Sequence, residues 1–127
     1  MKKKILLIDD DIDELLIFNE ALNELPTAFS CNFANSVAEG LKVLQSITPD
    51  YIFLDINMPG VNGYEAIKIL KGLDVSRNIP VILYSTAIDE LVKAKALILG
   101  AKACVKKTDS IERLSYILKN LTSQIAV

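Results

Sequence analysis

Four groups of reactive side chains each follow directly on a short apolar run. Asp9-Asp10-Asp11 comes after Ile5–Ile8, Asp55 after Tyr51–Leu54, Ser85-Thr86 after Val81–Tyr84, and Lys106-Lys107 after Ala103–Val105. Carboxylates brought within a few ångströms of one another repel and raise each other's pKa unless a cation sits among them. The donors on offer are all oxygen, so the fitting ion is hard: Mg²⁺, with Mn²⁺ or Ca²⁺ as stand-ins. Asp9, Asp10 and Asp55 carry −3, whereas a divalent ion and Lys107 supply +3. Such a site is neutral and waits for an anion. Phosphoryl transfer needs this set: a metal and a lysine to offset charge on the equatorial oxygens, and an in-line nucleophile. Asp55 can be that nucleophile, giving an acyl phosphate.

Composition removes several other chemistries. The chain has no histidine, so it holds no Ser-His-Asp triad, no His-metal site and no phosphohistidine of its own. Net charge is −2, from 14 basic and 16 acidic residues, which gives no electrostatic case for nucleic acid. The apolar run behind Met1-Lys2-Lys3-Lys4 is too short for a secretory segment and far too short for a membrane span. A soluble, cytoplasmic protein is expected. The two cysteines, Cys31 and Cys104, have no Cys-x-x-Cys spacing and read as small buried hydrophobes in a reducing compartment.

The elements that must position these groups come from the pattern between them. The 127 residues fit one domain, expected over 1–127, and about half are apolar, enough for a core without disulfides. The runs Ile5–Ile8, Phe29–Ala34, Tyr51–Leu54, Val81–Tyr84 and Ala103–Val105 are continuously apolar rather than alternating, apart from a weaker second, as strands buried on both faces require. Helical periodicity fills the gaps. Ile12, Leu15, Leu16, Leu22 and Leu25 are expected to line one face of a first helix that Pro26 stops. Ser36 with Glu39 predicts a capping box for the second. The third is expected over Gly63–Lys71 and the fourth over Asp89–Leu99, closed by Gly100. The last should start at Asp109 or Ser110, with Ile111, Leu114, Ile117, Leu118 and Leu121 as its stripe. Five βα units predict an α/β fold: a flavodoxin-like, doubly wound, five-stranded parallel sheet in the order 2-1-3-4-5 with five helices. In such sheets the functional crevice lies beyond the carboxyl ends of the strands, where all four reactive groups stand.

The motifs resemble those of response-regulator receiver domains. Ile5-Leu6-Leu7-Ile8-Asp9-Asp10-Asp11 is similar to their first strand and acidic pair, and Asp55-Ile56-Asn57-Met58-Pro59-Gly60 to their phosphorylation loop. Ile79-Pro80 through Ser85 resembles the fourth strand with its switch hydroxyl, and Gly100-Ala101 through Lys107 the fifth with its active-site lysine. The resemblance implies Asp55 as phospho-acceptor, with Mg²⁺ held by Asp10 directly, Asp9 through water, Asp55, and the backbone carbonyl of Asn57. It implies that Ser85 (with Thr86 as the alternative) and Lys107 bond phosphoryl oxygens. The donor would be a sensor histidine kinase or a phosphotransfer protein. Phosphorylation would remodel the face of the fourth helix, fifth strand and fifth helix, where Lys93, Lys95, Lys102, Ser115 and Lys119 are placed, to control an unknown protein target. Ala87 stands at a position that tunes hydrolysis in this family, and an alanine there predicts slow autodephosphorylation.

The chain departs from the family pattern in three places. Thr86 replaces the usual small residue after the switch hydroxyl, Thr108 replaces the proline after the lysine, and Cys104 replaces a rotating aromatic. Tyr84 or loop motion is the expected substitute for that aromatic. A signalling phospho-acceptor with no output domain, not an enzyme in its own right, is the favoured reading. The alternative is a pseudo-receiver acting as a phosphorylation-independent scaffold. A haloacid-dehalogenase-type phosphatase fails on Asn57 and Pro59, and a flavin module fails on Asp9–Asp11, which would repel its phosphate.

Overall fold

A computed structural model describes residues 3–124 apart from Pro59 and Val61. Met1 and Lys2, and the Pro59 of the loop motif, lie outside the described residues. The elements alternate as β1 (Lys3–Ile8), α1 (Ile12–Asn23), β2 (Phe29–Ala34), α2 (Val37–Leu44), β3 (Tyr51–Leu54), α3 (Gly63–Gly72), β4 (Val81–Ser85), α4 (Glu90–Leu99), β5 (Ala103–Lys106) and α5 (Ile111–Gln124). All strand pairs are parallel and the order is β2-β1-β3-β4-β5, as expected.

Successive side chains of each strand go to opposite faces and build two cores. Leu6, Ile8, Ile52, Leu54, Val81 and Leu83 meet Ala66, Ile67 and Leu70 on the side of α2, α3 and α4. Ile5, Leu7, Phe53, Ile82, Tyr84 and Val105 meet Phe18, Leu22, Leu114 and Leu118 on the side of α1 and α5. This two-sided burial is why the strands read as unbroken apolar runs.

Local chemistry sets the helix ends. Asp11, Ser36, Asn62 and Asp89 each accept a bond from a backbone N–H of the first turn of their helix. Gly100 closes α4 at φ 111°, a conformation that costs any other residue strain. The expected stripe of α1 is corrected. Ile12 and Leu16 are exposed; Leu22 is buried and Leu15 and Leu25 pack on the core as expected, joined by Phe18 and Ala21. Ile12 and Leu16 stand one turn apart on the outer face of the helix, away from Leu15, Phe18 and Leu22.

Candidate functional site

Parity along the strands brings the site residues to one side. Asp9 lies two residues past Leu7, Asp55 two past Phe53, and Lys107 two past Val105, and all three of those anchors face α1 and α5. Ladder bonds continue past the strand ends and fix the register: Asp9 N donates to Ala34 O (3.0 Å), Asp55 N to Ile8 O (3.0 Å) and Lys107 N to Ser85 O (2.8 Å). Asp9 and Asp55 are almost fully buried.

The two buried aspartates use their oxygens alike. Asp9 Oδ1 accepts from Asp11 N at 3.0 Å, and Asp55 Oδ1 accepts from Asn57 N at 3.0 Å, so each turns the backbone that follows it. Each aims Oδ2 at the same ammonium, since Lys107 Nζ lies 2.6 Å from Asp9 and 3.4 Å from Asp55. The Asp9 contact is the shorter of the two, a buried charge-assisted pair that holds Lys107 closer to Asp9 than to Asp55. Burial pushes the Asp9 carboxyl up to about 6, against the pull of Lys107 and of the Asp11 amide. For Lys107, burial opposes the charge, but Asp9, Asp55 and Glu14 outweigh it and raise its pKa. No peptide bond among the described residues is cis, so Lys107 reaches this position with a trans bond to Thr108.

Asp10 is exposed, and it joins Asp9 and Asp55 in a group whose ligand oxygens lie within 4.8 Å of one another. The donor set is all oxygen, the three carboxylates crowd together, and burial disfavours the charge on Asp9. A hard divalent cation meets each of these conditions, and these residues fit one.

Ser85 is fully buried; its Oγ accepts from Asn57 Nδ2 at 2.9 Å and from Ala87 N at 3.4 Å. Thr86 is exposed, as is Lys106, so the structure brings Ser85 and Lys107 of each pair to the site. Sequence reasoning missed the Asn57 side chain, which ties the acidic loop to Ser85. It also missed Gly63. A Cβ there would lie 2.5 Å from the Ile56 backbone, so only glycine lets α3 approach the loop after Asp55 this closely.

Two expectations about the surrounding surface are corrected. Tyr84 does not substitute for an aromatic at Cys104: it is fully buried in the α1/α5 core, while Cys104 packs on the opposite face of the sheet. Ser115 is buried, and Lys95 lies 5.3 Å over the Tyr64 ring, towards α3. Lys93, Lys102 and Lys119 are exposed. Among the described residues, no helix is long and apolar enough to cross a membrane.

Comparison with known proteins follows the same lines. The family model of the response regulator receiver domain matches residues 5–119. A CpxR homologue, a transcriptional regulatory protein of Haemophilus influenzae, is 33% identical over 126 residues, 94% of this chain and 52% of its own length. The chain spans about half the length, or less, of the curated relatives it matches. The phosphorylated cyanobacterial phytochrome response regulator RcpA superposes with a TM-score of 0.82 at 25% identity, over 95% of this chain and 91% of that one. The chemotaxis response regulator CheY4 of Vibrio cholerae shares the fold, with a TM-score of 0.82 at 23% identity over 95% of this chain and 99% of that one.

Proposed function

Because the chain belongs to the response regulator receiver family, we propose that it is a phosphoryl-controlled switch in which Asp55 is the acceptor. The observation that carries this reading is the meeting of Asp9, Asp55 and Lys107 within ion-pair distance at the strand-end crevice. Asp55 Oδ2 faces the ammonium and is the oxygen aimed into the crevice, whereas Oδ1 is committed to the Asn57 amide. Attack of that oxygen on phosphorus forms the acyl phosphate as the bond from phosphorus to the donor breaks, and the electron pair leaves with the donor. The donor's chemical class follows from the family: a phosphohistidine on a sensor kinase or phosphotransfer protein. The phosphorylated state in which RcpA was solved supports the same acceptor chemistry here.

Asp9, Asp10 and Asp55, with the backbone carbonyl of Asn57, would hold Mg²⁺, which when bound supplies positive charge against the phosphoryl oxygens. Lys107 offsets the remaining charge, moving from its aspartate pairs towards a phosphoryl oxygen. Ser85 accepts from Asn57, so its own proton is free to be donated to that group. Drawing Ser85 inward pulls the segment that leads into α4. The α4–β5–α5 surface is thus the proposed output, read by a protein partner, with the protein working in the cytoplasm as one receiver domain.

Incubation with acetyl phosphate, with and without Mg²⁺, tests the reading on a phosphate-affinity gel beside Asp55→Ala. A retarded band that needs both Mg²⁺ and Asp55 is expected. No band, together with no binding of beryllofluoride, would leave a scaffold that is never phosphorylated.

A further inference from the structure

Lysine has a flexible four-carbon stem and loses much rotamer freedom when its ammonium is fixed. Here Lys107 is followed by Thr108 through a trans bond, so no proline ring stiffens the turn behind it. Its side chain is nonetheless only 10% exposed, with Nζ held between Asp9 and Asp55. Nζ also stands 5.5 Å from the centroid of the Tyr84 ring, within cation–π range. Tyr84 and Val105 are register partners, so the ring on β4 and the lysine two residues past Val105 share one face of the sheet.

The ring is itself fixed. It stands edge-to-face against Phe18 at 5.6 Å and Phe53 at 6.3 Å, and its hydroxyl donates to Glu14 Oε2 at 3.1 Å. Glu14 lies in the first turn of α1, three residues past the acidic run, and is half-buried. A tyrosine whose hydroxyl bonds a carboxylate beside an ammonium is more than a core filler. Burying an aliphatic side chain at position 84 would fill the same space without a polar atom to satisfy.

We propose that Tyr84 and Glu14 are positioning residues for Lys107: the ring supports the ammonium, and the Glu14 carboxylate holds the ring through its hydroxyl. The proposal rests on the reading of Lys107 as the phosphoryl-binding cation, and it assigns to β4 and α1 the task of setting where that cation stands. Tyr84→Phe keeps the ring and loses the tether; Tyr84→Leu loses both; Glu14→Ala removes the carboxylate from outside the core.

The test has two arms. In the first, the protein is labelled with ¹³C-lysine, and the ε-methylene signal of Lys107, assigned by its loss in Lys107→Arg, is followed without any phosphoryl donor. The ring should shift this signal upfield of the other lysines. The displacement should shrink alike in Tyr84→Phe and Glu14→Ala, which break the same bond, and vanish in Tyr84→Leu. A Lys107 signal at the ordinary lysine position in the wild type, or one unmoved by Glu14→Ala, overturns the proposal even if Tyr84→Leu does not fold. In the second arm, the Kd for beryllofluoride in Mg²⁺ should weaken by about tenfold in Tyr84→Leu and by about threefold in Glu14→Ala. Mg²⁺ affinity without beryllofluoride should change less than beryllofluoride affinity; an equal loss of both in Glu14→Ala would show a merely structural role and overturn the proposal. If the wild type binds no beryllofluoride, the switch reading fails on its own account, and the spectral arm still decides the platform.

Discussion

The two helices that flank β5 are held to the sheet in very different ways. In α5, Leu114, Ser115 and Leu118 are buried, and Ile111, Ile117 and Leu121 pack against the same core. In α4 the only residue buried to that degree is Ala96; Val92 and Leu99 are half-buried, while Leu91, Leu97 and Ile98 are exposed at 66%, 54% and 84%. Burying a leucine contributes about 1.5–3 kcal/mol relative to leaving it in water, so α5 is bolted down and α4 is laid on. On the proposed switch reading, the surface that follows the state of Ser85, on the strand just before α4, is built on the helix with the least to lose. Asp9, Asp55 and Lys107 follow Leu7, Phe53 and Val105, which are buried on the side of α5.

The largest test of this contrast is a pair of truncations. Leu114→Ala in α5 should cost about 2–5 kcal/mol in urea unfolding, whereas Ile98→Ala in α4 should stay within about 0.5 kcal/mol. Similar losses at the two positions would break the comparison. Gly63→Ala comes next, at about 1–3 kcal/mol, because its Cβ would meet the Ile56 backbone at 2.5 Å and one of the two must move. That substitution sharpens the picture: it marks the place on the α4 side where packing is tight, the junction between α3 and the loop after Asp55. It should also slow phosphorylation, since the loop that moves carries Asn57. Hydrogen exchange gives a third measure, with amides in the middle of α4 expected to exchange at least about tenfold faster than those in the middle of α5.

Much of this architecture was legible because it follows from local periodicity. The buried strands announced themselves as unbroken apolar runs, and the parallel sheet then placed Asp9, Asp55, Ser85 and Lys107 at one edge. What stayed hidden depends on contacts between elements distant in the chain. The apolar residues of α1 span two helix faces, and only packing against the sheet shows that the face of Phe18, set edge-on to Tyr84, is the inner one and that of Ile12 and Leu16 the outer. Glu14 is one acidic residue among several at the start of α1, and its bond to Tyr84 links residues 70 apart. Ser115 fitted an exposed face by type, since serine is mostly a surface residue, yet α5 turns it into the core.

The smallest expected effect is also the most local probe of α4. The two free thiols sit on opposite edge strands, Cys31 on β2 and Cys104 on β5, and both are half-buried. Burial pushes the Cys31 thiol up to about 12. Burial raises Cys104 as well, but the Lys93 ammonium of α4 pulls it back. The thiolate is the nucleophile, so a raised pKa slows alkylation until the pH passes the folded value. The rate at Cys31 should therefore keep rising with pH beyond 9, where an unfolded thiol levels off. Ionisation there favours the unfolded chain, so any stability the protonated thiol contributes is lost as the pH climbs from 9 towards 12. At pH 8.5, iodoacetamide read by mass spectrometry should modify Cys104 about threefold faster than Cys31 or more. Adding Mg²⁺ and beryllofluoride should then change the Cys104 rate alone, because α4 and Lys93 lie over that edge. Equal changes at both thiols would mean that the whole sheet loosens together, and the contrast between a bolted α5 and a lightly laid α4 would not describe the proposed switch.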